Sequence, residues 1–178
     1  MTTHFYTASS LDGFIATADH SLDWLFRQDF DLEGPMAYPG FLQRIGALVM
    51  GASTYDWLLR NQQGWAYEIP AWVLTHHDPA VPDGADVRFA RGDVRTLFPG
   101  IEESAAGKDV WVVGGGGLAA QFAEAGLLDE FWVQFAPVAL GTGQPLFPRD
   151  ADFELLEVER NRDFVCARYR VLPTADHD

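Results

Sequence analysis

The sequence predicts an α/β protein with a mostly parallel central sheet, helices on both faces and an antiparallel edge at its C-terminal end. Three observations carry this. Short apolar runs alternate with segments of helical spacing, as in "ALVMG" followed by "ASTYDWLLRN" and "DVWVVGG" followed by "GGLAAQFAEAGLL". Such alternation favours parallel strands joined by helical crossovers. The last two runs, "FELLEVERN" and "FVCARYRVL", have no helix between them and read as an antiparallel pair. No repeat, low-complexity tract or linker interrupts the 178 residues, so one domain over 1–178 is expected.

Taken in order, "HFYTAS" is a first strand, and "SLDGFIA" turns at Asp12-Gly13. From Ser21 to Pro39 the pattern is irregular, broken by Gly34 and Pro35. Phe41, Leu42 and Ile45 then have helical spacing behind Pro39, which suits a first helical turn. "ALVMG" is a buried strand, and the helix after it has Ser53 or Thr54 as its expected N-cap. Ala71–Thr75 and "VRFA" are further strands, and "DVRTLFPGIEESA" is a helix. "DVWVVGG" runs into a helix opening at Gly117 or Leu118 and closed by Gly126, before one long strand, "DEFWVQFAPVAL".

Composition narrows the function classes. The formal net charge of −14 opposes binding to a phosphate backbone, which depends on Lys and Arg. No apolar run approaches the roughly 20 residues of a membrane span, and the N-terminal stretch lacks a basic and then apolar leader pattern. A single cysteine, Cys166, rules out an internal disulfide. The expected setting is cytoplasmic, with neither nucleic acid nor membrane as partner. His76 and His77 are adjacent on a strand and so diverge, and no metal site is expected.

The strongest chemical signal is "VWVVGGGGLAAQF". A buried strand that runs through bare backbone into a helix offers unpaired first-turn amides and a favourable dipole to an anion. Glycines without Cβ atoms let a pyrophosphate approach closely. A tight strand–helix corner is the competing reading. The run also fits a dinucleotide fingerprint at Gly115, Gly117 and Ala120. It comes late in the chain, however, and no acidic residue closes the next strand, so a standard Rossmann domain fits poorly.

"TASSLDGFIA", "VMGASTYDW" and "VWVVGGGGLAAQF", in that order, resemble the dihydrofolate-reductase-like fold, a three-layer sandwich. With "LDEFWVQFAPVALGTGQPLF", the chain from His4 to Val171 is similar to the reductase domain at the C-terminus of the riboflavin-biosynthesis deaminase-reductase. The zinc signature of the deaminase half is absent. The resemblance implies an NADPH-dependent reductase acting on a small heterocycle, with the aminopyrimidine phosphate of riboflavin biosynthesis as the type substrate. It implies a cis peptide at Gly114-Gly115. It assigns Ala8, Ile15 and Ala16 to the nicotinamide end, and Gly51, Ser53 and Thr54 to the phosphates. Leu74, Thr75 and His76 fall beside the adenosine, and Gly114, Gly115, Gly116, Gly117 and Leu118 hold the pyrophosphate.

Two departures stand out. Relatives carry an arginine where this chain has Ala52, leaving His76, His77, Arg88 or Arg91 to meet a 2′-phosphate. Aligning Phe41 with the aromatic position of the substrate-side helix puts Ala37 where dihydrofolate reductases have an acid. On the substrate side, Asp12 is either a proton relay or an Asx-turn residue. Trp24 is either a stacking surface or packing, and Phe41 completes the expected substrate contacts. Arg27, Arg44 and Arg149 are candidates for a substrate phosphate. Two rivals stay open: an authentic dihydrofolate reductase with a relocated acid, and a non-catalytic nucleotide- or ligand-binding domain. The strand at Phe131–Ala136, apolar on both faces, points to a subunit interface, and the resemblance implies a homodimer.

Overall fold

A computed structural model describes residues 1–77 and 79–173. The strands, in chain order, are β1 (Thr3–Ser9), β2 (Phe14–Ala16), β3 (Ile45–Gly51), β4 (Ala71–Leu74), β5 (Val87–Ala90), β6 (Asp109–Gly114), β7 (Glu130–Phe135), β8 (Gln144–Pro145), β9 (Phe153–Asn161) and β10 (Phe164–Val171). The helices are α1 (Asp23–Phe26), α2 (Tyr38–Leu42), α3 (Ala52–Asn61), α4 (Val94–Ser104) and α5 (Gly116–Glu124). Eight strands form one sheet in the order β5-β4-β3-β6-β1-β7-β10-β9. Its first six strands are mutually parallel, and β10 pairs antiparallel with both β7 and β9.

Period-two alternation divides the apolar side chains between two cores, one on each face. On one face Phe5, Ala47, Val49, Val110, Val112, Phe131 and Val133 meet Val94 and Ile101 of α4 and Leu118 and Phe122 of α5. On the other, Tyr6, Leu48, Met50, Trp111 and Trp132 meet Phe41 of α2 and Tyr55 and Leu58 of α3. The parallel sheet, helices on both faces and antiparallel edge are those the sequence predicts.

Several local expectations are corrected. Helix α2 ends at Leu42, so Ile45 opens β3 instead of extending a helical face. Helix α3 starts at Ala52 with Gly51 as N-cap and no capping side chain, which replaces Ser53 or Thr54 in that role. Asp93 does cap its helix, accepting from the Arg95 amide at 2.8 Å. Helix α5 opens at Gly116, one residue early, and Gly126 follows it in a left-handed conformation (φ +68°).

The long strand stops at Phe135, before Pro137. Its doubly apolar character has an internal cause: β7 lies between β1 and β10, with a core on each face. The sequence argument for a subunit interface on this strand therefore does not hold. The small sheet β2–β8 was not anticipated; it ties the Ser10–Ala16 loop to the segment after β7.

Candidate active site

Parallel strands aligned in one sheet end together, and the loops that follow them enclose a cavity of about 1420 Å³. Small-molecule sites commonly occupy about 300–1,000 Å³, so this one has room for two ligand parts side by side.

One wall is built from bare helix ends. Gly51 caps α3 and Gly115 caps α5, each in an extended conformation and neither with a side-chain bond to the helix. The first-turn amides of both helices are thus left for something else to satisfy. The two ends are close: a Cβ on Gly51 would lie 3.9 Å from the Gly114 carbonyl oxygen, and one on Gly114 would lie 3.4 Å from Thr54 Oγ1. The Gly114-Gly115 peptide is cis, and Gly114 has φ +152°.

Both readings of the glycine run apply, to different residues. At Gly116 a Cβ would sit 2.3 Å from the Leu146 carbonyl oxygen and 2.5 Å from that of Pro145, so packing alone demands glycine there. At Gly117 a Cβ would meet nothing within 4 Å. No protein atom requires that glycine, and it lines the cavity.

All the residues assigned to the cofactor line this cavity. Ala8, Ile15 and Ala16 lie on β1 and β2, with Gly51, Ser53 and Thr54 at the start of α3. Leu74 ends β4, Thr75 and His76 follow it, and Gly114, Gly115, Gly116, Gly117 and Leu118 complete the wall. Of the basic candidates for a 2′-phosphate, His76 and Arg91 line the cavity. His77 and Arg88 do not; Arg88 is held by both oxygens of Asp86, at 3.0 and 2.9 Å, over the Trp72 ring.

The three substrate-side candidates, Asp12, Trp24 and Phe41, are not among the residues lining the cavity. The Asp12 carboxylate accepts from Ser10 Oγ at 2.6 Å and from the Leu140 and Gly141 amides. Those bonds, the serine's first, hold its pKa down at about 2. A carboxylate so occupied braces the two loops. Trp24 is 4% exposed, in a core with Ala136, Phe164 and Cys166. Phe41 is 3% exposed and stacked on Tyr6 at 4.4 Å between centroids. Helical spacing puts Phe41 on the inner side of its segment, and that side faces core. Arg27, Arg44 and Arg149 are also absent from the lining; Arg44 pairs with Asp109 and Arg149 with Glu124.

The cavity lining also includes Tyr6, Tyr38, Tyr67, Trp111 and Gln134. Sequence reasoning passed over these. The one available signal was Gln134, a polar residue within an otherwise apolar strand. Ala37, buried at the N-cap of α2, brings no acid. Among the described residues lining the cavity, the one carboxylate is Asp29 and the one guanidinium is Arg91.

The mostly parallel sheet with helices on both faces is the dihydrofolate-reductase-like fold. The family model for the RibD C-terminal domain matches residues 60–165, and the chain belongs to that family. The uncharacterized protein YwjB of Bacillus subtilis (strain 168) is 30% identical over 162 residues, 91% of each chain. A solved Shewanella sp. PV-4 structure, named for riboflavin biosynthesis, superposes with TM-score 0.83 at 26% identity, covering 97% of this chain and 99% of that one. Dihydrofolate reductase from Enterococcus faecalis shares the fold, with TM-score 0.55 at 13% identity over 96% of each chain.

Proposed function

We propose that the protein is an NADPH-dependent reductase that delivers hydride to a small heterocyclic substrate, as the reductases of its family do. The observation that carries this reading is the pair of uncapped helix starts, α3 and α5, on one wall of a cavity large enough for a dinucleotide and a second ring. Two helix N-termini side by side offer an anion several backbone amides and two aligned dipoles, which compensates locally for the acidic surface.

The residues present fit the cofactor. Gly116, Gly117 and the first turn of α3 would take the pyrophosphate. Ala8, Ile15 and Ala16 would flank the nicotinamide, and Thr75, His76 and Arg91 the adenosine ribose. NADPH, when bound, supplies the hydride. The chain's own part is to orient the two rings and keep water out. The phenols of Tyr6 and Tyr38 are held protonated by burial, so the substrate end is lined by neutral hydroxyls. With alanine at position 37, the proton source of an authentic dihydrofolate reductase is missing.

Calorimetric titration with NADPH, and separately with NADH, tests the reading. Micromolar or tighter NADPH binding with weaker NADH binding is the expected result. Failure of both dinucleotides to bind would overturn it and leave the non-catalytic rival. The homodimer and cytoplasmic setting belong to the same proposal, and sedimentation of the purified protein tests the first.

A further inference from the structure

At the β1–β7 side of the cavity, polar groups converge that dinucleotide binding does not use. Tyr6 Oη donates to the Met36 carbonyl at 3.0 Å, and Gln134 Nε2 donates to the same oxygen at 3.3 Å. Met36 presents this carbonyl from a left-handed conformation, φ +54°. The shared acceptor fixes which end of the Gln134 amide is which: the nitrogen faces Met36, so Oε1 faces elsewhere. That oxygen is buried and has no donor, in a residue 3% exposed that lines the cavity. A buried carbonyl oxygen without a donor costs about 1–3 kcal/mol. The amide is held by one long bond about a terminal torsion that is broad and soft, so it can turn its oxygen toward a ligand.

Tyr38 packs beside Tyr6, with 6.3 Å between ring centroids, and beside Trp111, at 5.6 Å. Tyr67 lines the cavity beside them, and a phenol O–H such as that of Tyr38 can donate to a ligand as well as accept from one. An acceptor on Gln134 and a donor on Tyr38 thus flank an aromatic wall.

Among the described residues that line the cavity, the basic groups are Arg91, His20 and His76, with no lysine. Arg91 follows β5, five strand spacings from β7, or about 24 Å across the sheet. Asp29 is 62% exposed and paired with Arg162 at 3.3 Å. The remaining neighbours include Leu22, Leu25, Phe30 and Phe164. A phosphate placed here would be desolvated with no guanidinium or ammonium group of the lining beside it.

We infer that the Tyr6–Tyr38–Gln134 end recognises an uncharged planar ring with a ring N–H beside a carbonyl, and without phosphate or carboxylate. The ring N–H donates to Gln134 Oε1, and the ring carbonyl accepts from the Tyr38 hydroxyl. The ring lies against the Tyr38–Trp111 wall. This inference rests on the reductase reading for the ring's role as hydride acceptor, and departs from the phosphorylated type substrate of the family.

The probe is quinazoline-2,4-dione, a neutral bicycle with N–H groups beside carbonyls. It is titrated into the full chain, alone and in excess NADPH, with binding heat and tryptophan fluorescence as readouts. Its 1,3-dimethyl derivative, which lacks the N–H groups, should bind at least tenfold more weakly to the same unaltered protein. Uridine 5′-monophosphate, with NADPH in excess, should not compete. Gln134→Leu should weaken the dione tenfold or more while NADPH affinity holds, and Tyr38→Phe should weaken it several-fold. Equal binding of dione and dimethyl derivative, no binding of the dione, or tighter binding of the nucleotide would each overturn the inference. Dione binding without NADPH binding would instead sink the reductase reading and leave the recognition site standing.

Discussion

The carboxylate of Asp12 accepts the backbone amides of Leu140 and Gly141, with Oδ2 2.6 Å from the glycine nitrogen. The contact joins the loop that carries Ile15 and Ala16 to the segment leading into β8. It is reinforced by the Leu146 amide, which donates to the Gly13 carbonyl at 2.9 Å. Asp12 is thus a positioning residue for the cavity rim.

Asp12→Ala should lower the melting temperature by a few degrees and raise the NADPH Kd about three- to tenfold, with kcat changed less than threefold. A proton relay would instead lose most of kcat. The acid's pKa is depressed to about 2 in the folded protein. Its contribution to stability is therefore full above the unfolded value of about 3.9 and is lost as pH falls through about 2. Wild type and Asp12→Asn should converge in stability over that interval, as followed by thermal melts.

Gly116 and Gly117 are adjacent but should respond oppositely to alanine. Gly116→Ala drives a methyl into two carbonyl oxygens and should cost about 2–3 kcal/mol or more in urea denaturation. Gly117→Ala finds open space within a helix and should be neutral or stabilising by up to about 1 kcal/mol. The same methyl projects where the pyrophosphate is proposed to lie, so NADPH affinity should fall at least tenfold in a protein of undiminished stability.

Discrimination of the 2′-phosphate should reside at the end of β5. Arg91→Ala should raise the NADPH Kd tenfold or more and leave NADH within twofold, as read by calorimetry. Arg88→Ala, remote from the cavity, should alter neither.

His4 is buried with Nε2 3.1 Å from Asp109 Oδ2 and Nδ1 3.4 Å from Glu130. Burial lowers its pKa, and this outweighs the two carboxylates. For a base held neutral in the fold, the unfolded chain takes up the proton more readily. Stability is then full above the unfolded value of about 6.5 and declines as pH falls below it. The urea midpoint should drop between pH 7 and 5, and His4→Gln should flatten that slope.

The sheet was legible because β3, β6 and β7 are short apolar runs and the segments after β3 and β6 carry helical spacing. The glycine-lined wall of the cavity was legible because four glycines follow a buried strand. The rest of the lining was not. Large rings such as Trp24 and Phe41 look alike in sequence whether they face a cleft or the core. Gln134 was passed over because its meaning depends on Met36, a residue 98 positions away whose carbonyl no pattern announces. The bare start of α3 has the same lesson: Ser53 and Thr54 suit a cap by type, but the helix begins before them and leaves its amides facing the cavity.

Strand β1, the first of the sheet to be synthesised, ends up between β6 and β7. Its two neighbours are completed more than a hundred residues later, at Gly114 and Phe135. Throughout that interval Thr3–Ser9 carries two unpaired edges and an apolar face, the condition under which nascent chains aggregate or recruit chaperones. The cavity lined by Ala8 and by Gly117 therefore comes into being only after the chain through β7 has been made.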